Sequence, residues 1–359
     1  MILYDSKGMC ISLRNLNIIV TERQIWIGIA FAIPSALIAF ALKTFEEVEG
    51  RKWFRNDIMD RTIYSALNFF ACFVVIFRIE SAYSRFFTAC EKAYNISGNM
   101  LDLFSLLMAF CRTSKAPQKD IRNFQQTLIR LMSLLNAAVY RELKAKKSSL
   151  FNASDFEVID LDGLDEHSLT TLKSCDEDIV QVGFQWLQAL VIDNMVKGVL
   201  NVPPPILTRV YQESGAGMVK FHEGLNVVLV PYPFPFATTT EVLLIIQSCT
   251  LPVVIIEWTG YRACACGFCF ILVFLLWFFN MVAAELENPF IGNNHSLDMK
   301  RMQASHNAKL LAILRKESSL PPAMSTEAKK DADDTHAMLS MIGKTKFGSL
   351  LREAALSGS

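Results

Sequence analysis

Four uncharged apolar runs punctuate the chain. Residues 25–42 contain Pro34 and no charge, and at about 1.5 Å per residue they are long enough to cross bilayer hydrocarbon. Residues 63–77 are uncharged but short, and make a span only if the polar continuation from Arg78 to Phe87 carries the helix into water or a pore. Residues 242–256 are also short, with Glu241 before them and Pro252 inside. Residues 263–284 carry no charge at all and form the most secure span. Proline and short apolar length are tolerated in a span when neighbouring helices or water satisfy the backbone. Two pairs of spans therefore flank a middle region, 88–224, with a different pattern. There Phe124, Leu128, Leu131, Leu135 and Val139 recur at three- and four-residue steps, with Arg122, Gln126, Arg130 and Arg141 between them, which predicts an amphipathic helix. A second apolar-rich helix is predicted over 179–200, interrupted by Gln185, Gln188, Asp193 and Lys197. A polar loop over 144–178 joins the two. From residue 316 the chain is polar, predicting a largely disordered tail with one short docking helix over 338–356.

Composition agrees with this pattern. The 359 residues are 52% hydrophobic and only 19% charged, with a mean hydropathy of +0.29, which excludes a disordered chain and argues against a soluble globular one. Lys and Arg number 35 and so do Asp and Glu, so net charge gives no electrostatic case for a nucleic-acid partner. The nine cysteines are odd in number and scattered, which argues against a disulfide framework. Cys264, Cys266 and Cys269 cluster, but no fourth ligand lies nearby, so they read as small packing residues rather than a soft-metal site. Residues 1–24 have charges and no long apolar core, so no cleaved signal peptide is expected and the first span acts as an anchor. Basic residues flank both ends of that span (Arg14 and Arg23; Lys43, Arg51 and Lys52), so charge asymmetry does not set its orientation.

Chemistry-bearing motifs are few. There is no P-loop, dinucleotide fingerprint, HExxH or nucleophile elbow, and the five histidines are dispersed, so no enzyme is expected. A membrane-embedded enzyme would need converging ionisable groups, and only Glu241 and Glu257 lie near span ends. The acidic stretch from Asp160 to Asp165 has its glycine too early for a calcium loop and no closing Glu, so it reads as solvated.

The second apolar run carries the most information. Phe69, Phe73 and Phe77 stand at four-residue steps, one stripe of a helix drifting about 40° per step. Such a stripe is either a packing face or, with copies of the helix around an axis, a ring-lined constriction. Aromatic edges are electropositive and suit a partly dehydrated anion without a fixed charge, and hydrophobic constrictions gate by dewetting.

The run Phe77-Arg78 followed by Tyr83-Ser84-Arg85-Phe86-Phe87 resembles the bestrophin anion channels, in which three apolar neck residues at four-residue steps end eight residues before an Arg-aromatic-aromatic. Glu285-Leu286-Glu287-Asn288-Pro289-Phe290, with Gly292 and Leu297-Asp298 after it, resembles that family's Asn-Pro-Phe signature. Pro205-Ile206-Leu207 is similar to its cytosolic-aperture segment, and the proline-rich stretch from Val230 to Pro235 to its entry into the third span. The resemblance covers roughly residues 10–315.

It implies a homopentamer of four-span protomers, each with a cytosolic helical domain, around one axial pore for chloride and anions such as bicarbonate. Lipid and self are then the other partners. Phe69, Phe73 and Phe77 become the neck, Ile206 the aperture, and Arg78, Tyr83, Arg85, Phe86 and Phe87 the motif after the neck. The division follows: a cytosolic segment 1–24, a helix pair 25–87 with the neck, a cytosolic region 88–224, a second pair 225–287, the Asn-Pro-Phe segment and a cytosolic helix over 288–315, and the tail 316–359. The membrane is the plasma membrane or that of an organelle such as a plastid, with termini cytosolic or stromal.

One departure bears on calcium. Animal bestrophins follow Asn-Pro-Phe with an acidic run that clasps the ion, whereas here Asn293 and Ser296 stand where acids would be. Only Glu285, Glu287 and Asp298 remain nearby, and calcium prefers several charged oxygens, so no cofactor and weak or absent calcium dependence are expected. Arg78 and Arg85 either concentrate anions at the neck's mouth or pair with Glu80 and Glu91 as supports. The competing expectation is a membrane scaffold or regulatory subunit whose soluble helices bind a partner and whose Phe stripe is packed inside a protomer.

Overall fold

The computed structural model describes residues 22–49, 61–145, 156–175, 178–290, 296–315, 318 and 320–325. Cys10, Asn293 and the 338–356 patch lie outside them, so the clasp reading at Asn293 and the docking helix fall on undescribed residues. The described elements are helical: α1 Arg23–Glu49, α2 Arg61–Phe110, α3 Gln118–Ala145, α4 Glu166–Ser174, α5 Ile179–Val196, α6 Pro204–Leu229, α7 Phe234–Trp258, α8 Arg262–Leu286 and α9 Met299–Leu314. Met1–Leu314 forms one compact unit and Arg315–Ser359 a second, of which 320–325 are described without helix.

Helices α1, α2, α7 and α8 are long and apolar enough to cross a membrane, matching the four runs of the sequence. The second is longer than its apolar run. α2 is continuous for 50 residues, about 75 Å at 1.5 Å per residue, passing residue 87 without a break and reaching far beyond a bilayer's hydrocarbon.

The spans meet through small residues. α1 packs most extensively on α8, and Gly28 allows it: a Cβ there would lie 3.0 Å from the Phe274 ring and 3.3 Å from the Phe274 carbonyl oxygen. Pro252 inside α7 removes an N–H and leaves the Ser248 carbonyl without its helical donor. The Ser35 hydroxyl of α1 donates to that carbonyl, and Trp277 Nε1 of α8 donates to Ser248 Oγ at 2.9 Å, so the proline break becomes a three-helix junction. Gln247 of α7 ties in α2, donating to Tyr64 Oη and Asn68 Oδ1, both at 2.7 Å. Cys269 is buried in this core while Cys264 is exposed, and both are free thiols.

Beyond the spans, the second half of α2 packs with α3, α5, α6 and α9 around Leu103, Phe104, Phe124, Leu128, Leu135, Val139, Tyr140 and Phe221. The whole predicted stripe on α3 is buried there. α9 docks on α3 through a polar ladder. Ser133 Oγ donates to Asn307 Oδ1 at 2.7 Å, Asn136 Nδ2 to Gln303 Oε1 at 2.6 Å, and Asn307 Nδ2 to the Glu157 carbonyl at 2.9 Å. The predicted polar loop contains α4, capped by Asp165, whose carboxylate accepts from the Ser168 backbone N–H at 3.0 Å. Gly198, at φ +74°, ends α5 where a side chain would be strained.

Candidate functional site

The candidate site is one face of α2. Phe69, Phe73 and Phe77 are 73%, 56% and 50% exposed on the protomer, so they are not packed in its core. Exposure continues along the same face through Ile76, Glu80, Tyr83, Phe87, Glu91 and Tyr94, a period near 3.6 sustained over some seven turns. Tyr83 and Phe87 pack as a tilted pair with ring centroids 4.4 Å apart on this face, while Phe86, one residue over, is buried.

The opposite face holds the two arginines. At about 100° per residue, Arg78 and Arg85 lie about 160–180° from Phe69. Arg78 is 3% exposed; its Nε donates to Glu287 Oε1 at 2.9 Å and its Nη1 to Asn280 Oδ1 at 2.7 Å. Its guanidinium also lies 5.8 Å from the Tyr232 ring centre. Arg85 Nε donates to the Glu287 carbonyl at 3.1 Å, and its Nη2 to the Val227 carbonyl. The pairing expected with Glu80 and Glu91 is therefore corrected: both arginines reach the end of α8, and Arg85 also reaches the end of α6. Helix rotation explains it, because Glu80 and Glu91 point away from the face that Arg78 and Arg85 occupy. Nor do the guanidiniums face the Phe stripe: both are turned to the opposite side of α2 and held there.

The Asn-Pro-Phe segment completes this junction. Glu287 ends α8, its N–H bonded to the Ala283 carbonyl at 3.0 Å, and Glu285 lies in the last turn. Asn288 Nδ2 donates to the Ala284 carbonyl at 3.4 Å. The Pro289 carbonyl accepts from the Leu297 N–H at 2.9 Å, while Phe290 inserts into the core formed beyond the spans and Ser296 is buried. Asp298 Oδ1 accepts from the Arg301 N–H at 3.1 Å at the start of α9. Glu287 is thus engaged by arginine and Asp298 by a helix end. Among the described residues no group of three or more His, Cys, Asp and Glu is placed to hold a metal.

Ile206 sits in the first turn of α6 behind Pro203 and Pro204, exposed while Leu207 turns into the core. His306, which sequence reading left without a role, is buried against α2 with Nδ1 at 2.9 Å from Ser97 Oγ. Burial, with Lys309 nearby, pushes its imidazole down to about 4, so it is neutral near pH 7. Its sequence signal was faint: Gln303, His306 and Asn307 fall on one side of a short helix.

No curated protein matches the chain. A bacterial bestrophin homologue from Klebsiella pneumoniae shares its fold, with a TM-score of 0.63 at 15% identity, over 83% of this chain and 100% of that one. A single-site variant of that homologue aligns with a TM-score of 0.64 at 14% identity, over 79% of this chain and 97% of the other. The family model for bacterial and fungal bestrophins matches residues 23–312, most of the chain and all four spans. The chain is therefore an integral membrane protein of the bestrophin family.

Proposed function

We propose that the protein is an anion channel, a homopentamer in which five copies of α2 surround one axial path for chloride and anions such as bicarbonate. The observation that carries the reading is the exposed aromatic stripe on α2. Three large rings are left uncovered by their own protomer; a single stripe encloses nothing, whereas a cyclic assembly closes a ring of them. Phe69, Phe73 and Phe77 then form the neck, with ring edges toward the ion and dewetting as the gate. Exposed Ile206 is a second restriction, at the mouth of the soluble helical region, which on this reading is cytosolic. Family membership and the four spans support the same assignment. No enzymatic step is part of it.

The reading includes gating without strong calcium dependence; what supports it is that Glu287 is held by Arg78 and Asp298 caps α9 in the Asn-Pro-Phe segment. A scaffold role would leave the purified protein electrically silent. Planar-bilayer recordings under a chloride gradient separate the readings. The channel predicts currents reversing near the chloride equilibrium potential, in calcium chelator as well as in calcium, from a particle with the mass of five protomers. Silence at every voltage would sink it.

A further inference from the structure

The face of α2 that carries the neck also carries an acid. Glu80 follows Phe77 by three residues, about 4.5 Å further along the helix, and at about 100° per residue it falls between Phe69 and Phe73 around the axis. It is exposed, and no ion pair or hydrogen bond engages its carboxylate among the described residues. Its charged neighbours on the helix, Arg78 and Arg85, are turned to the opposite face and bound there by Asn280, Glu287 and the Val227 carbonyl. Glu91, the next acid on the same face, differs: Lys92 Nζ lies 3.6 Å from it and Asn95 donates to it at 3.3 Å. Glu80 is thus an uncompensated charge at the mouth of an aromatic constriction.

We propose that Glu80 is a selectivity-determining residue whose carboxylates, one per protomer, ring the inner mouth of the neck and work against anion passage. This rests on the reading of α2 as the pore helix. A ring of carboxylates draws cations and repels anions, and here no positive group on the same face offsets it. The Phe neck supplies the preference for a dehydrated anion, and Glu80 lowers the anion-to-cation ratio that the neck alone would give. Because Glu80 is exposed and no ion pair or hydrogen bond holds its carboxylate among the described residues, neutralising it should leave the fold intact.

The test is the chloride-to-potassium permeability ratio from reversal potentials under a KCl gradient, for wild type, Glu80→Gln and Glu80→Asp. Glu80→Gln should raise the ratio about five-fold at 0.1 M salt, from the field of a ring of unit charges about one Debye length from the ion, and by less at 1 M. Glu80→Asp, which keeps the charge, should restore the low ratio. Unaltered thermal unfolding of Glu80→Gln would confirm that only the field had changed. A conducting Glu80→Gln channel with the wild-type ratio overturns the role of Glu80 while leaving the channel standing. Absence of current in wild type and variant alike overturns the channel, and this inference with it.

Discussion

Where α1 meets α8 inside the spans, the buried positions are mostly small: Ala32, Ala36, Ala39, Ala265 and Gly28 in close approach. Many of the large apolar side chains there, among them Leu37, Phe40, Leu272 and Phe279, are exposed, while Trp277 is buried with the Phe31 ring stacked on it at 3.8 Å. Past the end of the spans the order reverses, with Leu103, Phe104, Phe124, Leu135 and Phe221 inside and polar residues outside. Lipid is as apolar as leucine and gives no reward for hiding it, so the span helices are held by close backbone approach and a few hydrogen bonds. Water rewards burial at roughly 25 cal/mol per Å², so the soluble half is held by bulk. α2 belongs to both regions, and Arg78 and Arg85 pin it where they join.

That junction should give the largest effect. Arg78→Met leaves Glu287, in a nearly closed site, without its guanidinium. A loss of about 3–5 kcal/mol is expected, read as a lower unfolding temperature of the purified protein. Arg78→Met combined with Glu287→Leu should recover part of it, and an unaffected single variant would show that the two regions are not joined here.

The same substitution should have opposite outcomes in the two regions. Leu135→Ala empties a fully buried soluble position and should cost about 3 kcal/mol. Leu37→Ala, at a position 61% exposed on α1, should change stability by less than about 0.5 kcal/mol. Equal effects would contradict the contrast between bulk and close approach.

Acid should weaken the half beyond the spans, where His306 lies. His306 stays neutral in the fold down to about 4, while an unfolded histidine takes up its proton near 6.5. The unfolded chain therefore binds more protons between those values, and stability that is complete above pH 6.5 drains away as pH falls toward 4. The total approaches about 3 kcal/mol. Thermal unfolding followed against pH should show this slope in wild type and lose it in His306→Gln.

A more modest loss than at the junction is expected at the closest approach of the spans. Gly28→Ala pushes a methyl against the Phe274 ring and carbonyl, and should cost about 2 kcal/mol as α1 shifts off α8. An unchanged unfolding temperature would mean that the contact is looser than its geometry.

The four spans were legible because hydropathy needs no tertiary information, and so was the α3 stripe. The length of α2 was not: Arg78, Glu80 and Arg85 interrupt the apolar run, and only helix rotation sends the bases backward and the acid forward. The partners of Arg78 were equally hidden, since Glu287 lies 209 residues away and the nearer Glu80 offered itself first. α4 was missed because its nine residues are mostly polar, although Asp165 three residues before Ser168 carried a capping signal. The ladder from Ser133 and Asn136 to Gln303 and Asn307 joins residues that read as ordinary surface polars until α9 is laid on α3. Ile206 and the Phe stripe were visible only through spacing and resemblance.

The account stands or falls on the aromatic face of α2. Phe69, Phe73 and Phe77 are exposed, so replacing all three with Ala leaves the protomer's packing intact, and the variant can be compared with wild type in planar bilayers under a chloride gradient. The account predicts that both assemble and conduct, with wild type reversing near the chloride equilibrium potential and the triple variant altered in gating or in its preference among anions. A triple variant with wild-type gating and selectivity would place the path elsewhere and contradict the claim.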